Sequence, residues 1–278
     1  MSVKDRYAVF GNPVKQSKSP TIHTAFAAQC GQDIQYRAVR VELGGFEEAA
    51  RSFFAGGGAG LNVTVPFKEE AFRFAERLTD RAMRAGAVNT LSRCDDGCIE
   101  GDNTDGIGLV RDMMANLGWR VQGQRLLILG AGGAARGVLE PLLRENPREL
   151  LIVNRTPERA EQLVREFSDI ARLEGGGYTL LDDRQFDLVV NATSAGLTGE
   201  MPDLPSSLLT EHSCCYDLVY GDEPTPFMRW AALHAAWAVA DGLGMLVEQA
   251  AQSFYIWRKV RPETQSVIRQ LRESMGTA

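Results

Sequence analysis

Histidine and cysteine are scarce in this chain: 278 residues hold three of the first and five of the second. The histidines, His23, His212 and His234, are far apart in sequence, so a His-centred hydrolase is a poor starting hypothesis. The cysteines (Cys30, Cys94, Cys98, Cys214, Cys215) are odd in number and contain no C-x-x-C spacing, which speaks against a disulfide framework. Cys94 and Cys98 flank Asp95-Asp96-Gly97, which reads as a tight turn joining two strands. With no histidine near in sequence, that pair lacks the ligands of a zinc site. All five read as reduced structural thiols, and no metal is expected. A basic surplus is missing as well. The 30 Lys+Arg against 36 Asp+Glu leave a net charge of −6, so nucleic acid is not an expected partner. No apolar run approaches the ~18 residues that would suggest a membrane span. The polar start Met1-Ser2-Val3-Lys4-Asp5-Arg6 has no apolar segment of the export type, so a cytoplasmic location is expected.

What remains is an ordinary globular composition, 44% apolar and 24% charged, in a chain long enough for one large domain or two moderate ones. Strand-like and helix-like segments alternate throughout, the pattern of an α/β protein. The first half predicts a strand over 7–10 and a helix from Ser19, as N-cap with Pro20 behind it, to about Cys30. A strand over 34–43, a helix over 46–55 and a strand over 61–67 follow, with Gly56-Gly57-Gly58 as breaker between the last two. A helix over 69–78 and a strand over 87–93 lead to about residue 105. A second unit opens with the apolar run 125–129, a buried parallel strand, and has further strands at 150–153, 187–191, 215–219 and 237–241. The end is helical: 244–260, then a helix starting at Pro262 and reaching about Met275.

The 125–129 strand runs directly into Gly130-Ala131-Gly132-Gly133-Ala134-Ala135 and a helix. Gly130-x-Gly132-x-x-Ala135 in a βαβ context is a dinucleotide fingerprint: the first glycine allows a tight turn, and the second lets the backbone approach a pyrophosphate at the helix N-terminus. An NAD binder places an acidic residue at the end of the next strand to hold the ribose 2′-hydroxyl. This chain has Asn154-Arg155-Thr156-Pro157-Glu158-Arg159 there. Arg155 and Arg159, four apart, could converge on a 2′-phosphate, so NADP is the expected cofactor.

Elsewhere, Asn62-Val63-Thr64-Val65-Pro66-Phe67-Lys68 reads as a strand with Asn62, Thr64, Pro66 and Lys68 on one side and Val63, Val65 and Phe67 on the other. Asp105, in the polar loop Gly101-Asp102-Asn103-Thr104-Asp105-Gly106, reads by itself as an N-cap. Taken one at a time, a lysine after a strand and an aspartate before a helix are ordinary surface and capping residues.

Together the segments carry more. Ser17-Lys18-Ser19-Pro20, Asn62-Val63-Thr64-Val65-Pro66-Phe67-Lys68, Gly86-Ala87-Val88-Asn89-Thr90 and Asn103-Thr104-Asp105-Gly106 occur in that order. Gly130-Ala131-Gly132-Gly133-Ala134, Asn154-Arg155-Thr156, Asn191-Ala192-Thr193-Ser194 and Asp241-Gly242-Leu243-Gly244-Met245-Leu246 continue the series. On these motifs the chain resembles the shikimate dehydrogenase family along nearly its whole length.

The resemblance implies a two-domain α/β fold. An N-terminal substrate domain of residues 1–105 with 242–278 would accompany a Rossmann-type, doubly wound dinucleotide-binding domain of residues 106–241, with the ligands in the cleft separating them. It implies reversible, NADP-dependent reduction of 3-dehydroshikimate to shikimate, a step toward aromatic amino acids. Lys68 and Asp105 would be the catalytic pair. Ser17 and Ser19 would bind the substrate carboxylate, Thr64, Asn89 and Gln249 its hydroxyls, and Tyr220 would lie near it. The cofactor would meet Gly130, Gly132, Gly133, Ala134, Asn154, Arg155, Thr156, Arg159, Thr193, Gly242 and Met245. Two other readings stand beside this one: a quinate/shikimate dehydrogenase of dual specificity, and a non-catalytic NADP-sensing protein. A small-molecule substrate, no nucleic acid, no membrane, and a monomer or homodimer complete the expectation.

Overall fold

The computed structural model describes residues 4–193 and 201–276. The chain divides into two compact units, one of residues 1–108 with 247–268 and the other of residues 109–246 with 269–278. Among the described residues no helix is long and apolar enough to cross a membrane.

The first unit is built on a six-stranded mixed sheet. Its elements are β1 (Asp5–Gly11), α1 (Ser19–Gln29), β2 (Ile34–Arg40), α2 (Phe46–Ala55), β3 (Gly58–Val63), α3 (Lys68–Phe74), β4 (Arg77–Leu78), α4 (Asp80–Ala85), β5 (Thr90–Arg93) and β6 (Ile99–Asp102). The strand order is β2-β1-β3-β5-β6-β4; β1 runs parallel to β2 and β3, and β5 is antiparallel to both β3 and β6. One face is covered by a core of Ala8, Phe10, Phe46, Ala50, Phe54, Leu61, Val63, Phe67 and Leu91. On α1, Ile22, His23 and Phe26 are fully buried, and His23 stacks on Tyr36 with ring centroids 4.3 Å apart. Chain reversals by α1 and α2 make the β1–β2 and β1–β3 pairings parallel, as a βαβ connection requires.

The second unit follows α5 (Asp105–Arg111), whose chain continues through a π-helical turn over Asp112–Asn116. It contains β7 (Arg125–Leu129), α6 (Gly133–Arg144), β8 (Glu149–Val153), α7 (Pro157–Glu166), β9 (Glu174–Gly176), β10 (Leu188–Asn191), β11 (Cys214–Asp217), α8 (Pro226–Leu233) and β12 (Ala238–Ala240). Its six strands are all parallel in the order β12-β11-β10-β7-β8-β9, the doubly wound arrangement. The unbroken apolar run of β7 is explained by burial on both faces: Leu126 and Ile128 join one core, Leu127 and Leu129 the other. The chain ends in α9 (Leu243–Arg258) and α10 (Gln265–Ser274).

Several local expectations need correcting. Ser19 does not cap α1; Lys18 holds that position, while Ser17 Oγ accepts from the Ser19 N–H at 3.3 Å. Strand β2 ends at Arg40 rather than 43, and β3 begins inside the glycine cluster at Gly58 and ends at Val63. Beyond Val63 the two-sided alternation fails, because the Phe67 N–H bonds back to Thr64 O at 3.0 Å and closes a turn. Val65 is therefore 64% exposed while Phe67 is fully buried. Helix α3 starts at Lys68 and stops at Phe74, where the chain forms the short strand β4 and the helix α4 that the pattern had hidden. The last helix starts at Gln265, not Pro262. The Glu263 carboxylate accepts from the N–H groups of Gln265 and Ser266 at 2.6 and 3.1 Å and so acts as its cap.

Candidate active site

In the first unit, the end of β3 and the start of α3 set the position of one cation. The turn 64–67 delivers Lys68 as the first helical residue, and its carbonyl accepts from the Val88 N–H at 2.9 Å. Across from it, Asn103 Oδ1 accepts from the Asp105 N–H at 3.1 Å, so Asn103, rather than Asp105, serves the start of α5. The Asp105 side chain is thereby released from capping. Its Oδ2 accepts from Lys68 Nζ at 2.6 Å and its Oδ1 from Asn89 Nδ2 at 2.8 Å. The pair is partly sheltered, with side chains 31% and 19% exposed.

Asn89 is the hub. Its Oδ1 accepts from the Thr104 N–H at 3.0 Å and from Thr90 Oγ1 at 2.9 Å. Its Nδ2 faces Thr104 Oγ1 at 2.9 Å, Asp105 Oδ1 at 2.8 Å and Gln249 Oε1 at 3.3 Å, three acceptors for two hydrogens. A second layer supports it. Asn62 Nδ2 donates to Asn89 O at 3.1 Å and to Ser253 Oγ at 3.1 Å, and Tyr36 Oη donates to Asn62 Oδ1 at 2.7 Å. Tyr36 also neighbours Ser19, whose Oγ accepts from Ser17 Oγ at 3.2 Å. Burial pushes the Tyr36 phenol well above its ordinary pKa, so it is a neutral donor. The hydrogen bonds thus bring Lys68, Asp105, Asn89 and Gln249 into one network and lead toward the Ser17–Ser19 pair. Thr64 is held beside Gly11, with its N–H bonded to Phe10 O at 2.9 Å.

Asn62, Thr104, Ser253 and Tyr36 were not singled out from the sequence as site residues. A buried asparagine must be hydrogen-bonded, so Asn62 in the middle of an apolar strand was the one available signal. Nearby, Asp102 is engaged structurally: Thr79 Oγ1 and Arg81 Nε donate to it at 2.7 and 2.6 Å.

The second unit carries the glycine-rich motif and its neighbours. Gly130 has φ +103°, in the left-handed region, and a Cβ there would meet the Ala192 backbone at 3.2 Å. Gly132 is the N-cap of α6, and a Cβ at Gly132 or Gly133 would meet nothing within 4 Å, so the backbone is open at this helix N-terminus on that side. A pyrophosphate fits such a cradle. Ala134 lies exposed in the first turn. Asn154 ties the neighbouring loops together: its Oδ1 accepts from the Ala131 N–H at 3.2 Å, and its Nδ2 donates to Thr156 O at 2.9 Å. Thr156 is the N-cap of α7, placing Arg155 before and Arg159 inside its first turn. Both arginines are exposed, and among the described residues neither is in an ion pair. Thr193 Oγ1 donates to Asn191 Oδ1 at 2.7 Å, and its methyl lies against Gly130; Ser194 lies outside the described residues.

The 241–246 motif is held in the same unit. Arg272 Nη1 donates to Asp241 at 2.7 Å. A Cβ on Gly242 would lie 2.2 Å from Leu218 O, and one on Gly244 would lie 2.0 Å from Asp112 Oδ1. The Met245 N–H donates to Tyr216 Oη at 3.2 Å, which donates to Asp112 Oδ2 at 2.6 Å. Tyr220 belongs to this unit too, half-buried, its phenol raised in pKa by desolvation.

Known proteins match along the chain. A family model described as the shikimate dehydrogenase substrate binding domain matches residues 9–91, one described as shikimate / quinate 5-dehydrogenase matches residues 113–198, and a shikimate 5'-dehydrogenase C-terminal domain model matches residues 242–272. The NADP(+) shikimate dehydrogenase of Cellvibrio japonicus is 55% identical over 271 residues, covering 98% of each chain. An Ael1 enzyme from Pseudomonas putida superposes with a TM-score of 0.91 at 46% identity, covering 96% of this chain and 98% of that one. The Thermus thermophilus shikimate 5-dehydrogenase, solved with NADP(H) and shikimate, gives 0.86 at 32% identity, covering 97% and 99%. The ordered motifs, the two sheets and near full-length identity to curated enzymes agree, and the chain belongs to the shikimate dehydrogenase family.

Proposed function

We propose that Lys68 and Asp105 are the proton-transfer pair of this enzyme, with its substrate held by the segments 1–105 and 242–278 and NADP by 106–241 together with Gly242 and Met245. The protein is an NADP-dependent shikimate dehydrogenase, an oxidoreductase that interconverts 3-dehydroshikimate and shikimate. The observation that carries the catalytic assignment is the 2.6 Å Lys68–Asp105 bond inside a network shared with Asn89 and Gln249.

NADPH, when bound, supplies the hydride for the carbonyl carbon. Negative charge then develops on the carbonyl oxygen, and the Lys68 ammonium stabilises it and hands over a proton; in the reverse direction the amine takes that proton back. Asp105 fixes the lysine's reach, and Asn89 fixes Asp105 through its second oxygen. Because Asn89 Nδ2 faces more acceptors than it has hydrogens, the amides of Asn89 and Gln249 can regroup around substrate hydroxyls at small expense. Thr64 adds a hydroxyl, Ser17 and Ser19 offer donors for the carboxylate, and Tyr220 supplies a neutral phenol.

The cofactor residues fit NADP. The open backbone at Gly132 and Gly133, with Ala134 in the same turn, takes the pyrophosphate, while Asn154 and Thr156 shape the loop that presents Arg155 and Arg159 to the 2′-phosphate. Gly130, Thr193, Gly242 and Met245 form the remaining floor. The unbridged thiols fit a reducing compartment, and we place the enzyme in the cytoplasm as a monomer or homodimer. The test is the appearance of NADPH absorbance when pure protein is mixed with NADP and shikimate. No signal above a protein-free control would overturn the reading, and a kcat/KM for quinate equal to that for shikimate would shift it to the dual-specificity enzyme.

A further inference from the structure

Hairpin β5–β6 has two chemically different ends. At one, Thr90 pairs with Asp102, and the chain leads on to Asn89, Asn103 and Asp105. At the other, beyond the Arg93–Ile99 pair, it closes through Cys94-Asp95-Asp96-Gly97-Cys98. Three hydrogen bonds shape that closure: Cys94 N–H to Cys98 O at 2.9 Å, Gly97 N–H to Cys94 O at 2.9 Å, and Cys98 N–H to Asp96 Oδ1 at 3.1 Å. Gly97 takes φ +86°, which lets the chain fold back so tightly. The turn therefore gathers alternate side chains. The sulfurs of Cys94 and Cys98 and a carboxylate oxygen of Asp96 all lie within 4.8 Å of one another.

We propose that this turn binds a divalent transition-metal ion, Zn²⁺ fitting best, through Cys94 Sγ, Cys98 Sγ and the Asp96 carboxylate, with water in the fourth position. The count of ligands from sequence missed this set because Asp96 read only as a turn residue. Two sulfurs select a borderline-soft ion over Mg²⁺ or Ca²⁺, which take oxygen ligands. Tetrahedral coordination with Zn–S of ~2.3 Å and Zn–O of ~2.0–2.2 Å sets ligand atoms about 3.5–3.8 Å apart. Closing from the observed separations needs about 1 Å, which rotation of three short, surface-lying side chains supplies while the backbone stays as it is.

Without metal, Arg77 guards the charge at this turn: its Nη1 lies 3.2 Å from Asp96 Oδ2, and it neighbours Cys94. It also reaches Glu100, with Nε 3.6 Å from Oε2. On metal binding the two thiol protons leave to solvent, the ion replaces the guanidinium at Asp96, and Arg77 retains Glu100. The ion's role is structural. At ~3.3 Å per residue, the five steps from Cys94 to Asn89 along β5 put about 16 Å between this turn and Asn89. The ion takes no part in proton or hydride transfer.

The test uses tag-free, reduced, chelator-stripped full-length protein, titrated with Co²⁺ alone and then with Zn²⁺ against a chromophoric chelator. The expected result is one ion per chain, thiolate-to-cobalt charge-transfer absorption with tetrahedral ligand-field bands, and displacement by Zn²⁺. Cys94→Ser/Cys98→Ser should abolish the charge-transfer band and weaken Zn²⁺ at least about 100-fold, whereas Asp96→Asn should keep the band and weaken binding roughly tenfold. Zn²⁺ should raise the unfolding temperature of the wild type and not that of the double serine variant. Shikimate turnover should match wild type within about twofold in all variants. Equal Zn²⁺ affinity in wild type and the double serine variant, or a cobalt spectrum lacking thiolate character, overturns the proposal.

Discussion

Lys68→Ala, Asp105→Asn and the double variant form a cycle that tests whether the two residues work as one unit. Losing a general acid–base lowers kcat by about 10²–10⁴-fold, or ~2.7–5.4 kcal/mol. Independent residues would multiply, giving about 10⁴–10⁸-fold for the double variant. The 2.6 Å bond argues for a unit, so the double variant should be no more than about tenfold worse than the poorer single one. Stability should move separately. In Lys68→Ala, Asp105 keeps the Asn89 bond at 2.8 Å but loses its cation while only 19% exposed. An under-partnered carboxylate of that kind costs ~1–3 kcal/mol, discounted toward the low end by its remaining exposure. Asp105→Asn removes the charge and keeps an oxygen for Asn89, so the double variant should be more stable than Lys68→Ala alone. NADPH absorbance at saturating shikimate gives kcat, and urea unfolding gives stability. Lys68→Ala retaining more than about a tenth of wild-type kcat would refute the proton-transfer role, and multiplicative losses would refute the coupling.

Three further outcomes are expected. Arg155→Ala should weaken NADP by roughly ten- to a hundredfold while barely changing NAD, since only NADP carries the 2′-phosphate; fluorescence titration with both nucleotides checks it, and equal losses would mean a structural role. Gly244→Ala should lower the unfolding temperature by several degrees, because its Cβ would lie 2.0 Å from the Asp112 carboxylate that already accepts from Tyr216; an unchanged temperature would mean the α9 start yields without strain. His23, fully buried, has its pKa lowered by desolvation to about 3 from 6.5, with a smaller upward pull from Asn62. The unfolded chain then binds the extra proton, so wild-type stability should fall as pH drops from about 6.5 toward 3, by up to ~5 kcal/mol. His23→Phe keeps the stacking and should flatten this slope in urea midpoints at pH 7 and 4; an unaltered slope would place the acid sensitivity elsewhere.

The sequence by itself determined the class of fold and the motifs of the site. Alternating strand and helix periods, the apolar run of β7 and the glycines behind it require a doubly wound unit, because only burial on both faces suits such a strand and only glycine suits the Gly130 turn. Ser17, Ser19, Lys68, Asn89, Asp105 and Arg155 stood out as polar groups in ordered motifs. Their partnerships were not legible, since they join residues far apart in sequence. Periodicity made Thr64–Lys68 a continuing strand; the long-range bonds of Phe10 and Val88 made it a turn and a helix start. Local rules made Asp105 a cap, and tertiary structure gave that task to Asn103 and the carboxylate to Lys68. Thr104 and Ser253 carry no local signal, and Asn62 only its place in an apolar strand, because what they do is hydrogen-bond one another across strands and α9. Asp96 is an exception: it read only as a turn residue, although the local turn itself sets its carboxylate within 4.8 Å of both sulfurs. Local sequence encodes backbone preference and burial, whereas which polar groups meet is decided by packing between segments that no short window contains.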